Sequence, residues 1–152
     1  MRVIIQRVQR ASVSIDGNVV GKCGYGYLLL VGFTHDDNEL VIDKMVDKII
    51  QLRINEDDQG KTNLNLAAKN GEILSISQFT LYANCKEGRR PSFVDAMKPD
   101  EASRLYDYFN EKLRLYCPHV DVGVFGADMK VELVNDGPFT ILLDSSELKM
   151  NM

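Results

Sequence analysis

The chain has 152 residues, 45% apolar and 26% charged, which suits one folded domain with a sizeable core and excludes extended disorder. Its 18 basic and 22 acidic residues leave a net charge of −4, against a non-specific nucleic-acid binder, whose affinity would rest on many phosphate contacts. Cys23, Cys85 and Cys117 are widely spaced and odd in number, so no disulfide framework or zinc motif is readable, and reduced thiols in a cytosolic protein fit best.

The N-terminus opens on strand-like alternation rather than a charged-then-apolar targeting signal, and the longest apolar run, 25–33, is too short to span a bilayer. Val3, Ile5, Val8, Ala11, Val13 and Ile15 alternate imperfectly, which predicts two short strands or one with a bulge near Gln9. Asp16-Gly17 is a hairpin signal, and Val19 and Val20 begin the return strand. Residues 27–33 predict a buried strand. Thr34 or Asp36 is placed to cap a helix to about Ile50, with Leu40, Val41, Met45, Val46, Ile49 and Ile50 on one face. Residues 51–54 read as short and strand-like, 55–60 as a polar loop, and 73–81 as a strand. A polar, basic loop follows at 83–91. Pro99 and Asp100 open a second helix with Ala102, Leu105, Tyr106, Phe109, Leu113 and Tyr116 as its stripe, ended by Cys117-Pro118. Residues 120–124, 129–134 and 139–143 predict three closing strands. Several strands precede and follow each helix, so an α/β fold of the α+β kind is expected rather than a doubly wound parallel sheet. Residues 1–145 form one domain and 146–152 a tail.

The chemistry is constrained by what is missing. His35 and His119 read as surface or capping residues. No G-x-S-x-G, H-E-x-x-H, P-loop or dinucleotide fingerprint occurs. Two polar interruptions of apolar runs remain. In Ser77-Gln78-Phe79-Thr80-Leu81 the polar residues stand where a structural strand would carry Val or Leu. One reading is a buried strand whose hydroxyls bond nearby backbone. The other is a strand end that offers backbone N–H groups and the Gln78 amide to a developing oxyanion. Thr80 would be a nucleophile only beside a base, and none is evident. Asn135-Asp136-Gly137-Pro138-Phe139-Thr140 is either a tight strand-to-strand turn or a functional loop with a cis Gly-Pro bond. Arg2, Arg7 and Arg10, and Lys86, Arg89 and Arg90, form local basic clusters. They are either a solvated face or a dock for a single RNA end.

Together with the opening Met1-Arg2-Val3-Ile4-Ile5-Gln6-Arg7-Val8 and with Arg90-Pro91-Ser92-Phe93, these two segments resemble, in order and spacing, the D-aminoacyl-tRNA deacylases. The resemblance covers residues 1–144. It implies a three-layer α/β/β arrangement, mostly antiparallel strands forming a barrel-like core with two main helices. It further implies a cytoplasmic homodimer without metal or other cofactor, with active sites at the subunit interface and no membrane or DNA partner. The substrate would be the aminoacylated 3′ end of tRNA, hydrolysed at the ester of a D-amino acid. Carried over by position, Ser77, Gln78, Phe79 and Thr80 form the catalytic strand end. Gly137 and Pro138 are a chiral selector inserted into the partner's pocket, fixed by Arg7. Met129 lines the pocket wall, and Asn135 belongs to the selector segment. Water would attack, assisted by the terminal ribose 2′-hydroxyl. Phe139 departs from the smaller aliphatic common in the family, and Gly88-Arg89-Arg90 from Gly-Asn-Arg. A non-catalytic RNA- or partner-binding module on the same fold is the alternative; the intact Gln78, Thr80, Gly137 and Pro138 argue against it. A backbone wall that rejects an L side chain has nothing to clash with in glycine, so glycyl-tRNA is an expected substrate too.

Overall fold

Strand β1, Arg2–Ile15, organises the sheet. The computed structural model describes residues 1–149. The Asp16-Gly17 turn has φ of 49° and 82°, the positive values that a two-residue hairpin requires. It returns the chain as β2, Asn18–Cys23, and β3, Gly26–Gly32, which follow one another antiparallel along β1. The other edge of β1 pairs with β8, Lys130–Asp144. β1 is thus one strand, and its irregularities against β8 fall between Gln6 and Arg10.

Helix α1, Glu39–Gln51, leads from β3 towards β6, Glu72–Ser77; helix α2, Pro99–Arg114, leads from β6 to β7, Val120–Val122. A helical crossover joins parallel strands, so β3–β6 and β6–β7 are parallel, whereas all three pairings of β1 are antiparallel. The sheet is therefore mixed, and antiparallel chiefly around β1. It curls until β7 meets β2: the Lys22 N–H donates to Asp121 Oδ2 at 2.9 Å, and a His119 ring nitrogen lies 2.8 Å from the Lys22 carbonyl. His119 is thus a closure contact of the barrel-like core.

Alternation along the strands gives two cores. On one face Val3, Ile5, Tyr27, Leu29, Val31 and Ile73 pack against Ile42, Met45, Val46 and Ile49 of α1 and Leu105, Tyr106, Phe109 and Leu113 of α2. Inside the curl Val8, Ala11, Val13, Leu28, Leu74 and Ile76 pack together, with Met129, Val131 and Leu133 against them.

Several local expectations are corrected. Asn38, not Thr34 or Asp36, caps α1: its Oδ1 accepts the Val41 N–H at 3.1 Å, while Asp36 is left-handed at φ 70°. The buried face also differs from the expected one, with Ile42 buried and Leu40 exposed. Residues 52–54 are not a strand. A small hairpin, β4 (Asn55–Glu56) with β5 (Thr62–Leu64), occupies part of the expected loop. The strand expected to reach Leu81 stops at Ser77 and becomes a 3-10 turn at Phe79–Tyr82. The last two expected strands are the single β8. Helix α2 ends at Arg114, which leaves Tyr116 exposed. In the stretch expected as a tail, Ser145–Glu147 form a 3-10 turn, and positions 150–152 lie outside the described residues. No helix among the described residues is long and apolar enough to cross a membrane.

Candidate active site

Where β6 ends, the chain is anchored by the Gln78 N–H, which donates to the Val31 carbonyl at 2.7 Å. The turn then packs closely on β3. A Cβ on Gly32 would come within 2.9 Å of the Gln78 carbonyl and 3.1 Å of Leu81 Cβ, so glycine lets the two backbones meet. Within the turn the first internal donor is Leu81, whose N–H reaches the Gln78 carbonyl at 3.3 Å. The N–H groups of Phe79 and Thr80 precede it and have no partner inside the turn, as the first donors of any helical turn must. The Gln78 amide donates to Thr80 Oγ1. An amide is no general base, so nothing beside that hydroxyl would activate it as a nucleophile.

The turn borders a cavity of about 850 Å³. Ser77, Gln78, Phe79 and Met129 line it, with Phe93, Met97 and Phe125 supplying further apolar wall and Lys98 a cation. Phe79 is exposed and meets Phe93 edge-on, ring centroids 5.0 Å apart. The 92–97 segment is fixed over β3: Thr34 Oγ1 donates to Asp95 O at 2.5 Å, a His35 ring nitrogen sits 2.6 Å from Val94 O, and the Met97 N–H donates to Phe33 O at 3.0 Å. His35 therefore lines the cavity with a ring nitrogen already engaged by backbone. Among the described residues no group of three or more His, Cys, Asp or Glu side chains could hold a metal ion.

The second polar segment lies elsewhere. β1 pairs Gln6 with Thr140 and Val8 with Asn135, which leaves residues 136–139 as a loop outside the ladder, opposite Arg7. The Gly137-Pro138 bond is cis, and both residues are exposed. Gly137 has φ 139°, and a Cβ there would approach the Phe139 nitrogen at 3.0 Å and Arg7 Nη2 at 3.3 Å, so any side chain at this position would be strained. Arg7, only 3% exposed, is the support. Its Nε donates to the Asp136 carbonyl at 3.1 Å and its Nη1 to the Ile54 carbonyl at 2.8 Å. Its charge lies 3.6 Å from Asp136 Oδ2 and 3.8 Å from Glu56 Oε1. The guanidinium also covers the Phe139 ring at 4.5 Å, so the aromatic residue at this position gives the arginine a face to stack on. Asn135 staples the loop from inside: Oδ1 accepts the Phe139 N–H at 2.6 Å, and Nδ2 donates to Thr140 Oγ1 at 3.0 Å. Behind Arg7, buried Asn55 donates to the Tyr27 hydroxyl at 2.9 Å and accepts from the Tyr25 hydroxyl at 2.8 Å, fixing the strand next to Ile54. Burial pushes the Tyr27 hydroxyl up to about 12, against the opposing Asn55 hydrogen bond.

The structure thus brings Ser77, Gln78, Phe79 and Met129 to one cavity and groups Arg7, Asn135, Gly137 and Pro138 at a second place. Neither Thr80 nor any of residues 135–140 lines that cavity within one chain. Met97, Lys98 and Phe125 escaped the reading of the sequence, and Phe93 entered it only as the end of the Arg90-Pro91-Ser92-Phe93 motif. Their one signal is apolar residues set in polar loops, at Phe93-Val94 and Val124-Phe125.

Comparison with known proteins gives the family. The model of the family described as D-Tyr-tRNA(Tyr) deacylase matches residues 4–144. A Lactobacillus acidophilus protein named D-aminoacyl-tRNA deacylase is 59% identical over 144 residues, covering 95% of this chain and 99% of its own. A Bacillus cereus protein of the same name is 52% identical over 145 residues, with the same coverage. Among solved structures, one titled c-Myc DNA Unwinding Element Binding Protein superposes with TM-score 0.90 at 40% identity, covering 95% of this chain and 98% of that one. Another, titled as a probable eukaryotic D-amino acid tRNA deacylase, has TM-score 0.82 at 18% identity, covers 93% of this chain and 97% of that one, and shares the fold. The chain belongs to the D-Tyr-tRNA(Tyr) deacylase family of enzymes.

Proposed function

We propose that the protein hydrolyses the ester between a D-amino acid, or glycine, and the 3′ end of tRNA, as a cytoplasmic proofreader of translation. The observation that carries this reading is the 3-10 turn that starts on the cavity wall at Phe79 and leaves the Phe79 and Thr80 N–H groups without internal partners. Fixed donors of this kind stabilise the oxyanion that forms when an ester carbonyl is attacked. Water, oriented by the terminal ribose 2′-hydroxyl, adds to the carbonyl carbon. The ester C–O bond then breaks, and the 3′ oxygen leaves with a proton. The Gln78 amide assists at the oxyanion, and no side-chain nucleophile takes part.

Chirality is assigned to the second loop, acting across a homodimer. Gly137 and Pro138 are exposed and lie off their own chain's cavity, which supports a role in the partner's. Their carbonyls would accept hydrogen bonds from the substrate ammonium, and their backbone would occupy the space an L side chain needs. Met129 forms part of the cavity wall behind the substrate. Neither a cofactor nor a metal enters this mechanism. The test is hydrolysis of D-tyrosyl-, L-tyrosyl- and glycyl-tRNA by chelator-treated protein. The expected result is cleavage of the D and glycyl esters with the L ester spared. Loss of neither tyrosyl ester would favour a binding module, and an intact glycyl ester beside a cleaved D ester would contradict exclusion by a steric wall.

A further inference from the structure

Arg2 begins β1 and reaches the 3-10 turn. Its Nη1 donates to the Leu81 carbonyl at 2.8 Å, its guanidinium lies over the Tyr82 ring at 4.5 Å, and its Nε donates to Asp144 Oδ2 at 3.0 Å. Leu81 and Tyr82 are the second half of the turn whose first half presents the Phe79 and Thr80 N–H groups. The start of the turn is held by Gln78 on Val31 and by close packing at Gly32. Among the described residues, Arg2 makes the one side-chain hydrogen bond to its far half. A four-residue 3-10 turn has little stability of its own. Donors to an oxyanion are effective only when their direction is fixed before the reaction.

We infer that Arg2 is a positioning residue for the reaction: it clamps the 79–82 turn between β1 and the end of β8, and so sets the direction of the Phe79 and Thr80 N–H groups. This inference rests on the proposed role of those groups. Arginine is required because one planar fork serves a carboxylate, a carbonyl and an aromatic face together, which a lysine ammonium does not. Asp144 orients the fork, and its side-chain hydrogen bonds go to Arg2 and Ser146 rather than to the turn.

The test compares wild type with Arg2→Ala, Arg2→Lys and Asp144→Asn, measuring turnover of D-tyrosyl-tRNA and amide exchange by residue. Arg2→Ala is expected to lower kcat by up to about a hundredfold, the scale of an ångström-sized misplacement, with KM and exclusion of the L ester unchanged. Exchange at Leu81 and Ala83, whose N–H groups donate to the Gln78 and Thr80 carbonyls, should quicken while that of β3 stays as in wild type. Arg2→Lys should recover part of the rate, and Asp144→Asn should lose less than Arg2→Ala. Wild-type kcat in Arg2→Ala overturns the inference. So does equal quickening in β3, which would mean general destabilisation. A wild type that cleaves no ester overturns the deacylase reading and the positioning role of Arg2 with it, whereas an active wild type with an unaffected Arg2→Ala overturns the clamp alone.

Discussion

The turn at Phe79–Tyr82 and the loop at 136–139 both interrupt apolar strands with polar residues, yet their hydrogen bonds go to opposite places. In the loop, Asn135 bonds the Phe139 N–H and the Thr140 hydroxyl, while Arg7 bonds the Asp136 carbonyl and lies on the Phe139 ring. In the turn, the leading N–H groups find no internal partner, and the side-chain bonds, Gln78 to Thr80 and Arg2 to the Leu81 carbonyl, leave those donors unengaged. A segment whose polar groups are bonded within the chain is suited to hold a shape. A segment that leaves donors unpaired beside a cavity is suited to hold a charge that appears during reaction. The division of labour proposed for them, chirality in the loop and chemistry in the turn, follows from that difference.

Removing the support of the loop should have the largest effect. Arg7→Ala leaves the Ile54 and Asp136 carbonyls without their donor, and a destabilisation of about 2–4 kcal/mol is expected in denaturant unfolding. The protein that still folds should cleave L-tyrosyl-tRNA measurably. An unchanged unfolding midpoint would mean that Asn135 alone holds the loop.

The turn should tolerate loss of a side chain. Thr80→Ala is expected to keep most of its activity, because the backbone N–H remains. A loss beyond about a thousandfold, the scale of deleting a catalytic nucleophile, would place chemistry on the hydroxyl.

The smallest effect is electrostatic and belongs to the scaffold of the loop. The Tyr27 phenol, raised by burial from 10 to about 12, favours the neutral form in the fold. Its stabilising effect is intact below pH 10 and is lost as pH rises from 10 towards about 12. Stability in that window should fall with pH, and less steeply in Tyr27→Phe. Equal slopes would show that the phenol is not held neutral by the fold.

Local rules made parts of this architecture legible. Asp16-Gly17 announces its hairpin because few residue pairs accept two positive φ values. The stripe of α2 repeats at helical spacing from Ala102 to Leu113, and those residues are buried. Other features depend on distant partners. Phe79, Leu81 and Tyr82 continue a pattern that suits a strand, but the chain coils there, close against Gly32, some fifty residues earlier in sequence. The stretch from 129 to 143 reads as two strands and a turn, yet β1 is long enough to pair on both sides of the loop and make them one. Both polar segments were visible as interruptions. Their separation within one chain was not, because it depends on how far the sheet curls.

The most direct measurement is the rate of L- and D-tyrosyl-tRNA cleavage by Pro138→Ala. If the loop carries chirality and the turn carries chemistry, the variant should begin to cleave the L ester while keeping most of its rate on the D ester. Continued exclusion of the L ester at an unchanged D rate would contradict the account, and so would a collapse of the D rate with no gain on L.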